Sequence, residues 1–184
     1  MKRLMDISLS LLALLLLSPL MTLTALAIAV DSGRPVLFRQ TRVGRYGQSF
    51  GMWKFRSMVP DAASRGPYFT TAHDPRITRV GRFIRRTSLD ELPQLFNVLL
   101  GDMSLVGPRP DVPAQRSLYT EADWEQRCSV RPGITGLAQA LYRSESVGDQ
   151  RLQADLRYVR EASLLLDLKI FWWTLQRLPG QGSN

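Results

Sequence analysis

Apolar positions run from Ile7 to Val30 without a single charge, interrupted only by Ser8, Ser10, Ser18, Pro19, Thr22 and Thr24. A straight helix over these 24 residues would reach roughly 36 Å, enough to cross a bilayer. Pro19 falls mid-run, where it deletes an intrahelical hydrogen bond and kinks the backbone, with Ser18 beside it able to re-satisfy freed groups. Each half is then about 12 residues, too short to cross alone. Beyond this run the pattern shortens and mixes. Pro35 to Gln40 reads as a short strand, Gly44 and Gly47 mark a turn, and Phe50 to Met58 reads as a second strand. Asp61 to Pro75 is polar and turn-rich, a surface loop. Leu92, Leu95, Phe96 and Leu99 recur at helical spacing, with Gly101 suited to the residue after the helix end. Met103 to Pro113 holds three prolines and reads as an irregular loop, and Glu121 to Cys128 as a short helix. Gln150 to Leu178 reads as helical, ending in an apolar block around Trp172 and Trp173 that suits either a docked core helix or an interfacial one. The sum is a mixed α/β fold, helix-rich with a small short-stranded sheet and no internal repeat.

Composition narrows the chemistry. The chain has 184 residues, one ordinary domain by length, and carries a net charge of +8. The single cysteine, Cys128, excludes an intramolecular disulfide, and the single histidine, His73, excludes a multi-histidine metal site. Catalysis would rest on carboxylates, arginines and a hard cation. Between Arg34 and Arg86 stand 11 arginines and Lys54 against only Asp61 and Asp74. Such a concentrated field suits phosphates or an anionic surface. The preference for Arg over Lys suits bidentate recognition of phosphate or carboxylate.

Three readings of the N-terminal run remain open on these grounds. Lys2 and Arg3 followed by an apolar stretch and Ala25-Leu26-Ala27 resemble a cleaved signal peptide. A plain transmembrane anchor is the second. The third is a helix broken at Pro19 that dips into one leaflet and returns. Positive charge flanks both ends, with Arg34, Arg39, Arg42 and Arg45 following the run, which is awkward for a spanning segment and natural for a re-entrant one.

The densest chemical signal is Arg85-Arg86-Thr87-Ser88-Leu89-Asp90-Glu91-Leu92-Pro93. Ser88 and Glu91 spell a capping box, which would make Glu91 a helix-start residue only. Pro93 would then fall inside the helix and delete a bond. With Asp90 as the cap, Pro93 falls third, where its missing N–H costs nothing. Asp90 and Glu91 then sit at the positive end of a helix beside two arginines, an environment expected to lower both carboxyl pKa values. An ionised aspartate can attack phosphorus to give an acyl phosphate, and a neighbouring glutamate can hold Mg²⁺.

Several longer stretches carry a resemblance. They are Phe38-Arg39-Gln40-x-Arg42-x-Gly44, Lys54-Phe55-Arg56-Ser57-Met58, and Ser88 through Leu99. Gly101-Asp102-Met103-Ser104-Leu105-Val106-Gly107-Pro108-Arg109-Pro110 follows, then Arg131-Pro132-Gly133-Ile134-Thr135-Gly136-Leu137-Ala138-Gln139, and Asp167-Leu168-Lys169-Ile170. With the N-terminal Lys2-Arg3-x-x-Asp6 and Ser18-Pro19, they make the chain resemble the bacterial sugar transferases, monotopic phosphoglycosyl transferases that begin membrane-linked glycan assembly. The resemblance implies transfer of a sugar 1-phosphate from a UDP-sugar to undecaprenyl phosphate, releasing UMP. Asp90 is implied as the nucleophile of a ping-pong cycle and Glu91 as its partner and Mg²⁺ ligand. Lys54, Arg56, Arg85, Arg109 and Arg143 are implied at the phosphates. Lys2, Arg3 and Asp6 are implied at the membrane end of a re-entrant helix broken at Ser18-Pro19.

The organisation so implied is a re-entrant helix over residues 1–33, a cytoplasmic catalytic domain over 34–178 and a flexible tail over 179–184, on the inner membrane of a bacterium. The expected partners are the UDP-sugar, undecaprenyl phosphate and the lipid bilayer, with no nucleic acid and a homodimer left open. One departure bears on the sugar: Ala140-Leu141-Tyr142-Arg143 stands where many members have a Val-Asn-Gly-Arg type stretch. The rival reading is a membrane-anchored basic module that binds anionic lipid or nucleic acid without chemistry, with Phe38, Trp53 and neighbouring aromatics as stacking platforms.

Overall fold

A computed structural model describes residues 1–62, 64–66, 70–71, 74–142 and 148–177. Arg143 and the tail over 179–184 lie outside the described residues.

The apolar run folds as one helix, α1 (Lys2–Ser32), which passes through Pro19. The break expected at Ser18-Pro19 does not interrupt it. Proline at position 19 leaves the Leu15 carbonyl without its usual backbone donor, and the Ser18 hydroxyl donates to that same oxygen at 2.8 Å. The two residues thus repair between them the gap that one creates. Leu11, Leu12, Leu15, Leu16, Leu23, Leu26 and Val30 are exposed along α1, while Asp6, Ser10, Thr24 and Ile28 are buried.

Both ends of α1 are docked on the same body. At the start, Asp6 accepts from the Ser104 hydroxyl at 2.9 Å and the Leu105 amide at 3.2 Å. Lys2 donates to Asp167 at 2.6 Å. Arg3 donates to the Val98 and Leu99 carbonyls at 2.6 and 3.0 Å, a cation at the negative end of a helix. At the finish, Ile28 packs with Phe55 and Ile84 in a small apolar cluster.

The first strands form an antiparallel hairpin, β1 (Leu37–Val43) and β2 (Ser49–Phe55), with Leu37 opposite Phe55 and Val43 opposite Ser49. Its turn holds Tyr46 and Gly47 at positive φ. A second small sheet pairs β3 (Ser104–Val106) with β4 (Gly133–Thr135) in parallel. The crossing is tight: a Cβ on Gly133 would fall 2.1 Å from the Gly107 nitrogen.

Helices fill the rest. α2 (Arg79–Arg86) is capped by the Thr78 side chain, which accepts from Gly81 N. α3 (Gln94–Leu100) ends at Gly101 with φ 96°, the left-handed residue that closes many helices. α4 (Glu121–Cys128) has the expected bounds. α5 (Leu137–Tyr142), α6 (Gly148–Glu161) and α7 (Leu164–Arg177) follow. The single helix expected over Gln150–Leu178 is therefore two, divided at Ala162-Ser163. Ser163 accepts from the Leu166 amide at 3.2 Å, and this N-terminal cap starts a new helix.

The main core joins Met52, Leu95, Val98, Met103, Leu105, Val106, Leu137, Tyr158 and Ile170. Buried Asn97 ties α3 to the hairpin: it donates to Gly51 O at 2.9 Å and accepts from Trp53 N at 2.9 Å. That tie fixes Lys54, the next residue along β2, relative to the start of α3.

Candidate active site

Asp90 and Glu91 lie in a single 3₁₀ turn, Leu89–Glu91, just before α3. The turn is entered through Ser88 at φ 58°, and Pro93 takes the cap position of α3. Asp90 is therefore not the helix cap that the spacing suggested. Proline's missing N–H is harmless at the cap, so the chain can tighten into a short turn ahead of it. The left-handed Ser88 redirects the backbone so that both acids face the same space.

The two carboxylates meet different surroundings. Glu91 accepts from Lys54 Nζ at 2.8 Å and from Arg109 Nη2 at 2.6 Å. Burial opposes its ionisation, but the charges and hydrogen bonds of Arg109 and Lys54 prevail and hold its carboxyl well below the usual range. Asp90 has Lys54 Nζ at 3.8 Å, beyond hydrogen-bond reach. Burial dominates there and raises its pKa, only partly opposed by the Lys54 charge and reinforced by Glu91. The expectation that both carboxyls are lowered holds for Glu91 and fails for Asp90. Desolvation of a carboxylate without a close donor outweighs a cation that does not touch it.

Lys54, Arg85 and Arg109 converge on the pair. Arg85 donates to Thr70 Oγ1 at 3.0 Å and its charge acts on Asp90. Arg56 is placed differently. It is buried, and its Nη2 donates to Ser32 O and Gly33 O at 2.7 Å each and to Ser32 Oγ at 2.8 Å. Its other two nitrogens are buried without a partner among the described residues, and the residue also contributes to the lining of the cavity above the carboxylates. Arg56 thus caps the C-terminal end of α1, whose orphan carbonyls attract a cation. Lys2, Arg3 and Asp6 lie at the opposite end of α1, bound to protein groups rather than turned outward.

A cavity of about 1290 Å³ opens above the pair. One part of its wall is apolar, with Leu9, Leu12 and Leu16 of α1 and Phe171 and Leu175 of α7. Another is cationic, with Lys54, Arg85 and Arg109 and, beyond those expected, Arg42 and Arg151. Arg42 stands in a recognisable stretch but carries no local sign of its role. Arg151 sits in an ordinary amphipathic helix and gives none at all. Asp90 and Glu91, joined by phosphate oxygens of a ligand, would make a hard oxygen donor set of the kind that suits Mg²⁺. Glu91 Oε1 is already engaged by Lys54 and Arg109, so the residues fit such a cation once phosphates are present to share these cations. Among the described residues no cluster of three or more acidic, His or Cys side chains gathers as an all-protein metal site.

Buried charges brace the segment that carries Arg109. Arg127 donates to Arg109 O at 2.6 Å and pairs with Asp111 at 2.7 Å. Tyr119 donates to Asp111 at 2.8 Å, and Val43 N donates to Asp111 O at 2.8 Å. Sequence reading missed this brace, whose members are scattered along the chain.

The profile of the bacterial sugar transferase family matches residues 1–180. An undecaprenyl-phosphate glucose phosphotransferase of Komagataeibacter xylinus is 49% identical over 96% of this chain and 35% of its own length. A UDP-N-acetylgalactosamine-undecaprenyl-phosphate N-acetylgalactosaminephosphotransferase of Aeromonas hydrophila is 42% identical over the whole chain and 45% of its own length. The chain thus spans less than half of these two relatives. The exopolysaccharide production protein PSS of Rhizobium leguminosarum bv. phaseoli is 44% identical over 95% of this chain and 92% of its own length. A profile that covers nearly every residue, together with relatives this similar, shows that the chain belongs to the bacterial sugar transferase family.

Proposed function

We propose that the protein transfers a sugar 1-phosphate from a UDP-sugar to undecaprenyl phosphate, giving undecaprenyl-diphosphate-sugar and UMP. The observation that carries the reading is the unequal carboxylate pair on the floor of a cavity with one apolar and one cationic wall. A lipid phosphate needs the first wall and a nucleotide diphosphate the second. The relatives' names supply the substrate classes, and those that name glucose favour a UDP-hexose as donor.

The chemistry divides into two displacements at one phosphorus. The Asp90 carboxylate attacks the sugar-bearing phosphorus, the bond to the bridging oxygen breaks, and UMP leaves with that electron pair. An oxygen of undecaprenyl phosphate then attacks the same phosphorus and displaces Asp90, restoring the carboxylate. Asp90 suits the attack because no donor among the described residues stands within hydrogen-bond distance to blunt its lone pairs. Lys54, Arg85 and Arg109 neutralise phosphate oxygens, which lets an anion approach an anion. Mg²⁺ held by Glu91, with Asp90 nearby, would supply further neutralisation of the diphosphate.

The same reading places the protein on the cytoplasmic face of a bacterial inner membrane, at the first membrane step of a polysaccharide pathway. α1, though unbroken at Pro19, is then embedded in one leaflet with both of its ends on the same face. Support comes from its two docked ends: a 31-residue helix tied at Asp6 and again at Ser32 to one body leaves neither end free for the far side of a bilayer. Its exposed leucines and the exposed Phe171 and Trp172 of α7 suit the lipid.

The test is UMP release by nanodisc-held protein with Mg²⁺, undecaprenyl phosphate and a panel of UDP-sugars. Release with one donor, abolished by Asp90→Asn and by EDTA, is the expected result. Release that survives Asp90→Asn would overturn the covalent route.

A further inference from the structure

Arg42 and Arg151 belong to no role described so far, yet both line the cavity beside Arg109. Arg42 sits on β1 and makes no ion pair among the described residues. Its Nε and Nη2 donate to Gln40 Oε1 at 3.2 and 2.8 Å, and its Nη1 donates to Pro110 O at 3.0 Å. A guanidinium has five N–H donors, so these bonds leave one hydrogen on each terminal nitrogen. Arg151 sits near the start of α6. Its Nη2 reaches Asp111 Oδ1 at 2.5 Å and Arg109 O at 3.3 Å, and its Nη1 has no acceptor among the described residues. Three guanidiniums thus crowd one end of the cavity.

The carboxylates nearby do not balance them. Glu91 is shared by Lys54 and Arg109, and Asp111 and Asp155 are both taken up by Arg127 and Arg151, which leaves Arg42 without a carboxylate partner among the described residues. The crowding registers on Arg42: burial and the neighbouring Arg109 charge bring its pKa down to about 10, against partial relief from Asp111 and Glu91. A cavity wall with unspent guanidinium donors and uncompensated positive charge is built for a dianion.

Which anion follows from the fold. α1 and α7 bring the apolar lip, and α1 packs mainly on α2, α3 and β3. β1 instead meets β2 and the turn at Pro113–Leu118, and α6 packs on α4 and α5. Arg151 stands near the start of α6, well before Tyr158, which ties that helix to Asp167 of α7 at 2.7 Å; Arg42 and Arg151 thus lie away from the lipid-facing lip, where a water-soluble group enters rather than a polyprenyl chain. We infer that Arg42 and Arg151, with Arg109, form a binding site for the phosphate of the departing nucleotide, the group that leaves as UMP. The inference rests on the transfer reading above and gives its first step a leaving-group site distinct from the catalytic pair.

The site is tested by titration calorimetry of nanodisc-held full chain with UMP, with uridine and with inorganic phosphate. Wild-type protein is expected to bind UMP at least tenfold more tightly than uridine. Arg42→Gln and Arg151→Gln are each expected to weaken UMP by about tenfold while leaving uridine unchanged. In turnover they raise KM for the UDP-sugar and not for undecaprenyl phosphate. Arg151 also pairs with Asp111, so Arg151→Lys, which keeps the charge and loses the fork, serves beside it, and both are compared by melting temperature. Arg151→Lys with a wild-type melting temperature should still weaken UMP. UMP affinity indifferent to all three variants overturns the site. So does a rise in KM confined to undecaprenyl phosphate. Loss of UMP affinity in the variants, in a protein that turns over no UDP-sugar, supports the site and tells against the transfer reading instead.

Discussion

Lys54 Nζ stands 2.8 Å from Glu91 Oε1 and 3.8 Å from Asp90 Oδ2. One ångström separates a hydrogen-bonded ion pair from a Coulombic neighbour, and it divides the two acids. Glu91 is committed to cations. Among the described residues Asp90 meets no donor at hydrogen-bond distance, and its buried charge is poorly solvated, the condition in which a carboxylate is most nucleophilic. Asp90→Asn should lower turnover by at least about a thousandfold, as loss of a covalent nucleophile does elsewhere. A radiolabelled sugar phosphate should remain on wild-type protein after denaturation in the absence of lipid acceptor, and be missing from the variant.

The same inequality predicts opposite pH signatures of stability, measured in EDTA by denaturant unfolding. Burial raises Asp90 above its ordinary value, so the native state binds a proton there that the unfolded chain has already lost. Stability from this group falls as pH rises toward its native pKa. Asp90→Asn should therefore gain on wild type between acid and neutral pH. Glu91 is depressed, so its contribution is present above the ordinary glutamate pKa and is lost as pH falls. Glu91→Gln should be less stable than wild type at neutral pH, with the deficit closing in acid.

Contiguity decides how much of this the sequence discloses. Asp90, Glu91, Lys54, Arg85 and Arg109 stand in three short stretches for which the family resemblance implies phosphate chemistry, and the fold brings them together. The helix over α4 and the glycine stop at Gly101 are local effects and are legible for the same reason. Burial is not local. Nothing around Asp90 in the chain says that Lys54 stops short of it, and the nearby positive charge suggests the opposite pKa shift. Arg56 follows Lys54 by two residues on an extended strand end, and only the docking of α1 reveals that it serves Ser32 and Gly33. The division of α6 from α7 is signalled by Ser163, but the apolar density around it conceals the cap.

Arg56→Leu should detach the C-terminal end of α1. The substitution removes three hydrogen bonds from a charged donor, with an expected loss of about 1.5–3 kcal/mol or more. Limited proteolysis near Gly33 should become faster. Retention of UMP affinity would separate this anchoring role from phosphate binding.

Gly133→Ala should be poorly tolerated. Its Cβ would overlap Gly107 N at 2.1 Å and Thr135 O at 2.3 Å, backbone atoms that cannot swing aside. The expected cost is on the order of 3 kcal/mol, read by thermal melting. Because Gly107 leads directly into Pro108 and Arg109, activity should fall further than the fraction of folded protein accounts for.

The anchoring of α1 at its start imposes an order on biogenesis. Lys2 closes onto Asp167, a partner 165 positions downstream, and Asp6 onto residues about a hundred positions away. At ribosomal rates of roughly 5–20 residues per second, the first turn of the helix waits on the order of ten seconds or more for its lysine's counter-ion to be made. During that interval the greasy segment is complete and its dock does not exist. Whatever shelters it in the meantime, chaperone or lipid, acts as a scaffold for assembly, and the protein closes its catalytic body by stitching α7 to the first turn of α1.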